Sequence, residues 1–226
     1  DYLKSAVRSS ALQHLPVTYV FTHDSIAVGE DGPTHEPVEQ LAAFRSMPGV
    51  NVIRPADANE VMSSWKFIAE NTEEPNLLVL SRQKLPVLSE TVDADVSKGA
   101  YIISRAKTNM PDGIIIATGS EVSLALEAKA ELAKRSYDIS VVSMPSMELF
   151  DRQTQEYKDS ILPKTVERRI SIEAESTFGW GKYIGLSGCS IGIDTFGVSG
   201  NGDQVENYFG FKTDTVVKAF EKLWNQ

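Results

Sequence analysis

Apolar residues Leu3, Ala6, Val7 and Ala11 recur at helical spacing, so Tyr2–Gln13 is predicted as an amphipathic helix. The unbroken apolar run Val17–Phe21 predicts a buried strand. Val38, Leu41, Ala42 and Phe44 then mark a helix from about His35 to Arg45, stopped by Pro48-Gly49. Val50–Arg54 reads as the next short strand. Asp57-Ala58-Asn59-Glu60 has the form of a capping box opening a helix that carries Val61, Trp65 and Ile68. Asn76–Ser81 is a third strand, ending at Arg82. Strands alternating with helices imply right-handed parallel crossovers. On that topology His23, the Pro55–Asp57 turn and Arg82 all sit at carboxyl ends of strands. They share the rim where open α/β sheets bind ligands.

The polar stretch Gln83–Ser97, with Pro86 and several acids, reads as a linker. Beyond it, Tyr101–Ser104, Gly113–Ala117, Ile139–Val142 and Arg169–Glu173 are predicted strands. A long helix runs from Thr118-Gly119-Ser120-Glu121 to about Lys134, another lies near Asp151–Asp159, and Thr213–Trp224 closes the chain as a helix. The section Gly179–Gly202 reads as loops and short strands, with Trp180, Tyr183 and the Gly197–Gly202 loop serving packing or a subunit contact. The expected fold is α/β: an incomplete parallel-sheet unit, then a second α/β three-layer domain with a mostly parallel sheet. The first sheet is expected to leave an exposed edge, prone to pairing.

Composition narrows the class. The 226 residues carry a formal net charge of −9, which argues against a nucleic-acid or anionic-membrane surface. No apolar run is long enough to span a bilayer, and no signal peptide opens the chain. A single cysteine, Cys189, excludes an internal disulfide, fits a reducing cytoplasm and reads as a buried structural thiol. Asp1 is not an initiator methionine, which suggests a fragment.

Candidate chemistry concentrates in Phe21–Pro37 (FTHDSIAVGEDGPTHEP), which holds two of the three histidines and the acids Asp24, Glu30, Asp31 and Glu36. His23 and Arg82 on one rim could hold a phosphate ester; equally, Arg82 could pair with Asp24 or Glu30. Asp31 and His35, separated by Gly32-Pro33-Thr34, could present polar atoms to a polyol, or could organise the turn and cap the next helix. Tyr2 reads as core on pattern alone. The histidines and acids match no zinc spacing. Thr118-Gly119-Ser120 could cradle an anion, although a plain helix cap explains it better.

The strings THDSIAVGEDGPTHEP, LAAFRSMPGVNVIRPADANE, LSRQKLP and ATGSEVSLALEA closely resemble transketolases, and the likeness runs along essentially the whole chain. The resemblance implies that residues 1–88 are the later part of the domain holding the aminopyrimidine of thiamine diphosphate. Residues 89–97 are then a linker and 98–226 the C-terminal domain. It implies ketol transfer from a ketose phosphate to an aldose phosphate in the pentose phosphate pathway, in a cytoplasmic homodimer using thiamine diphosphate with magnesium or calcium. His23 and Arg82 would bind the sugar phosphate, and Asp31 would read the hydroxyl beside the acceptor aldehyde. His35 would contact the oxygens of the transferred two-carbon unit as the catalytic group, and Tyr2 would border the aminopyrimidine. Gly29-Glu30-Asp31-Gly32 is not the family's Gly-Asp-Gly metal motif. The metal ligands and the activating glutamate are therefore expected in a preceding part of the enzyme, leaving this chain inactive alone. Dihydroxyacetone synthase or deoxyxylulose phosphate synthase is the related alternative, and a non-catalytic dimerisation fragment the other.

Overall fold

The apolar spacing at the start of the chain produces helix α1 (Lys4–Leu12), which buries Val7, Ser10 and Ala11. The computed structural model describes residues 1–225. Strand β1 (Thr18–Thr22), helix α2 (Gln40–Arg45), strand β2 (Asn51–Ile53), helix α3 (Ala58–Glu70) and strand β3 (Asn76–Leu80) follow. All three strands are parallel in the order β1-β3-β2, with Thr18–Thr22 in register with Asn76–Leu80. The central β3 is an unbroken apolar run because both its faces are covered. Leu77 and Val79 join Val7, Leu41, Phe44 and Val52 on one face, while Leu78 joins Ile53, Ile68 and Val96 on the other. Edge strand β1 leaves Val20 49% exposed, as expected for the open side of this sheet.

Helix α2 begins at Gln40, five residues later than the apolar spacing suggests. Gly32 holds a φ of 76°, and Glu36 precedes Pro37, whose ring disfavours a helical residue before it. The capping box forms with a shifted return bond: Glu60 N donates to Asp57 Oδ1 at 3.0 Å, while Glu60 Oε2 accepts from Ala56 N at 2.7 Å. Asp57 also accepts from Leu88 N and Thr91 Oγ1, and Val96 is fully buried. The stretch predicted as a linker is thus bound down onto α3.

The second sheet contains β4 (Tyr101–Ser104), β5 (Gly113–Ala117), β6 (Ile139–Ser143), β7 (Arg169–Ile172) and β8 (Cys189–Ile191), in the order β4-β6-β5-β7-β8. Only β4 runs antiparallel to its neighbour. Helix α4 (Glu121–Lys134) follows β5. The single helix predicted near Asp151–Asp159 is two, α5 (Met147–Asp151) and α6 (Gln155–Ile161), because Thr154 caps the second with its hydroxyl. The glycine-rich section holds β8 and the short helix α7 (Gly181–Ile184). It leads into α8 (Gly202–Phe209), a helix the periodicity did not reveal, and α9 (Thr213–Trp224) ends the chain. Ile115 and Ala117 face the core shared with α4 and α9, while Ile114 and Ile116 face the core shared with α5, α6 and α7. That alternation makes three layers. Cys189 is half-buried in an edge strand, and burial raises its thiol pKa.

Candidate functional site

The stretch after β1 is a 3-10 turn, Ile26–Asp31, whose second amide, Ala27 N, donates to Ser25 Oγ. Gly29 turns at a φ of 75°, and a Cβ there would come within 2.9 Å of Gly200 O. Only glycine meets both demands. Ser199 Oγ donates to Glu30 O at 2.9 Å, and α8 packs across the turn. Between the two sheets Ile26, Val38, Ala174, Ile193 and Val205 form a shared core. The Gly197–Gly202 loop is therefore the clamp on the candidate site, a pairing that distance along the chain concealed.

His23 leaves β1 at a φ of 64°, a left-handed conformation uncommon outside glycine. It lines a cavity of about 400 Å³ together with His35, Tyr2, Phe21, Phe44 and Glu36. Each histidine is held by the threonine before it: His23 Nδ1 lies 2.9 Å from Thr22 Oγ1, and His35 Nδ1 lies 3.0 Å from Thr34 Oγ1. These contacts orient both rings, leaving each Nε2 free to meet an oxygen-rich ligand.

The structure thus brings His23, His35 and Tyr2 to one cavity. Asp31 and Arg82 are both exposed and lie outside its wall. Asp31 ends the 3-10 turn; Arg82 follows β3 just past the Thr22–Leu80 register pair, at the strand tip next to His23. Arg82 does not take Asp24 as partner, because Asp24 is committed elsewhere. The fully exposed Tyr2 lines this cavity together with the apolar side chains of Phe21, Leu41, Phe44 and Val79. Among the described residues no group of three or more His, Cys, Asp or Glu is placed to hold a metal ion.

Charges beneath the site went unread in the sequence. Arg54, fully buried at the end of β2, donates Nε to Asp24 at 2.7 Å and Nη1 to Glu121 at 2.5 Å and to Thr118 O at 2.8 Å. Burial alone would lower its pKa, but Glu121 and Asp24 hold it well above its ordinary value. Arg45 makes a two-pronged pair with Glu173, 2.7 Å on each side, and Glu173 also accepts from Trp180 Nε1 at 2.8 Å. Burial pushes the Glu173 carboxyl up, yet Arg45 pulls it below the usual carboxylate range.

Glu36 and Glu175 border the same cavity, 5% and 1% exposed; the Glu36 carboxyl faces the backbone amides of Gly29 and Val198, while neither Glu175 oxygen has a partner among the described residues. Burial raises both, and neighbouring Glu173 drives Glu175 further. The readable signals were an arginine closing an apolar strand (NVIR) and acids directly after another (ISIEAE).

A two-sheet α/β protein carrying an imidazole-lined cavity at the strand tips of its first sheet is the class this geometry defines. The transketolase pyrimidine-binding domain family matches residues 1–87, and the transketolase-like C-terminal domain family matches residues 99–212. The chain belongs to the transketolase family. It is 55% identical to the transketolase of Bacillus subtilis, a match covering 100% of this chain and 34% of that protein. The transketolase of Leishmania mexicana superposes with a TM-score of 0.94 at 40% identity, over 99% of this chain and 32% of that one. A Pichia stipitis transketolase solved in complex with sedoheptulose 7-phosphate gives 0.93 at 43% identity, over 99% of this chain and 32% of that one. The chain thus spans about a third of the length of these relatives.

Proposed function

We propose that this chain is the substrate-facing portion of a transketolase, which moves a two-carbon ketol unit between phosphorylated sugars in the pentose phosphate pathway. The observation that carries this reading is the cavity at the β1 tip, where two threonine-braced imidazoles stand beside an aromatic wall. His23 and Arg82, on adjacent strand tips, grip the sugar phosphate, the guanidinium contributing a planar fork of donors. Asp31 accepts a hydrogen bond from the hydroxyl beside the acceptor aldehyde. His35 donates to the oxygens of the two-carbon unit and relays a proton there. Tyr2 borders the aminopyrimidine of thiamine diphosphate, which when bound supplies the electron sink for the transfer.

Residues 1–88 then form the later part of the pyrimidine-binding domain, 89–97 the connection and 98–226 the C-terminal domain. The whole protein is read as a cytoplasmic homodimer using magnesium or calcium, with the metal ligands and activating glutamate outside this chain, and the chain alone as inactive. The single cysteine supports a reducing compartment. Among the described residues no helix is long and apolar enough to cross a membrane.

Steady-state kinetics of the full-length protein test the assignment. His23→Ala and Arg82→Ala should each raise KM for phosphorylated sugars about tenfold or more while barely changing it for unphosphorylated ones. Equal losses on both substrate types would remove phosphate binding from these residues. Robust turnover by the 226-residue chain with added thiamine diphosphate and magnesium would overturn the inactivity.

A further inference from the structure

Gln83 directly follows the candidate phosphate ligand Arg82, and its amide is only half satisfied. Its Nε2 donates to Glu206 Oε1 at 3.5 Å, the outer limit of a hydrogen bond, while its Oε1 is buried with no partner among the described residues. Glu206 sits on α8, the helix packed across the Ile26–Asp31 turn. An ionised carboxylate can only accept, so it leaves Gln83 Oε1 unpaired. A carboxylic acid can also donate, and would close a two-bond ring with the amide: N–H to carbonyl one way, O–H to amide oxygen the other.

We propose that Glu206 is a positioning residue which, in its protonated form, latches the Gln83 amide and so holds Arg82 at the rim beside His23. This deepens the phosphosugar reading above and rests on it only for the role of Arg82. The surroundings favour the protonated form. Burial comes first, then Glu121, Asp203 and Asp24, which together push the Glu206 carboxyl up to about 7 against the opposing pull of Arg54. Glu121 comes from α4, Asp24 from the tip of β1, Arg54 from the tip of β2 and Asp203 from α8 itself. The turn packed on α8 also carries the exposed acids Glu30 and Asp31, and exposed Arg82 and Lys84 flank Gln83. The latch is therefore closed at pH 6 and open at pH 8.5.

Two measurements on the full-length protein test this. In hydrogen exchange, corrected for its intrinsic pH dependence, the wild-type segment around residues 80–88 should lose protection between pH 6 and 8.5. Glu206→Gln, whose amide can pair with Gln83 at any pH, should keep it protected throughout, and Glu206→Ala should lack protection at both pH values. In kinetics, KM for a phosphorylated sugar should rise roughly two- to tenfold more across that range in wild type than in Glu206→Gln, the worth of one net hydrogen bond. Identical pH profiles of exchange for wild type and Glu206→Gln would overturn the latch. If exchange follows the expected pattern but Arg82→Ala leaves phosphosugar KM unchanged, the latch stands and the phosphate role of Arg82 falls.

Discussion

Replacing Arg54 by methionine removes a fully buried cation that bridges the two sheets beneath the candidate site. Arg54 bonds Asp24 from the β1 tip, Glu121 and Thr118 O from the start of α4, and Ser120 Oγ, and its side chain is entirely inaccessible to water. Methionine keeps much of the volume, so the main loss is electrostatic. Two carboxylates, 1% and 6% exposed, remain without their counter-charge. Breaking a buried pair from one side costs about 3–5 kcal/mol, because the stranded charge keeps its desolvation cost. For a chain of this size each kcal/mol moves Tm by about 2–4 °C, so the expected drop is roughly 6–20 °C. Denaturant unfolding of wild type, Arg54→Met, Asp24→Asn and the double variant completes the cycle. Asp24→Asn should recover part of the loss when combined with Arg54→Met, since it removes one stranded charge. An Arg54→Met stability within about 1 kcal/mol of wild type, at unchanged m-value, would refute the reasoning.

Other expectations follow from single contacts. Gly29→Ala should destabilise by about 1–3 kcal/mol and loosen α8 from the motif turn, because the new Cβ meets both a positive φ and Gly200 O; unchanged unfolding would contradict the clamp. Asp57→Ala removes an N-cap that also ties down Leu88 and Thr91, so its cost should exceed the ~1 kcal/mol of an ordinary cap, read from the denaturation midpoint. Glu175→Gln tests a proton linkage. A folded carboxyl held well above its ordinary value binds more protons than the unfolded one, so this group's contribution to stability is present at acid pH and declines as pH rises past the ordinary carboxylate range. The glutamine variant should match wild type near pH 4, exceed it at pH 8 and show a shallower stability–pH slope; an unchanged slope would show that Glu175 does not titrate in this range.

Much of this molecule was legible before any coordinates. Apolar runs such as NLLVL and GIIIA can satisfy their surroundings only as strands covered on both faces, and the 3.6-residue spacing of α1, α3, α4 and α9 leaves one buried stripe each. The two histidines and four acids of Phe21–Pro37 marked a chemically dense stretch, and strand topology placed its start at a sheet rim. These are local signals, readable because period and turn chemistry act within a few residues. The late start of α2 was legible too, in Glu36-Pro37, but the apolar spacing outweighed it.

What tertiary structure alone decided is which distant residues share one low-dielectric space. Arg54 meets Glu121 across 67 positions, Arg45 meets Glu173 across 128, and Ser199 reaches Glu30 across 169. No periodicity encodes such pairings, because a charge's partner is set by where helices and strands pack rather than by neighbours along the chain. The same packing put His23, His35 and Tyr2 around one cavity and set Asp31 and Arg82 outside its wall. It also buried Glu36 and Glu175, where desolvation rather than residue type sets how readily they ionise.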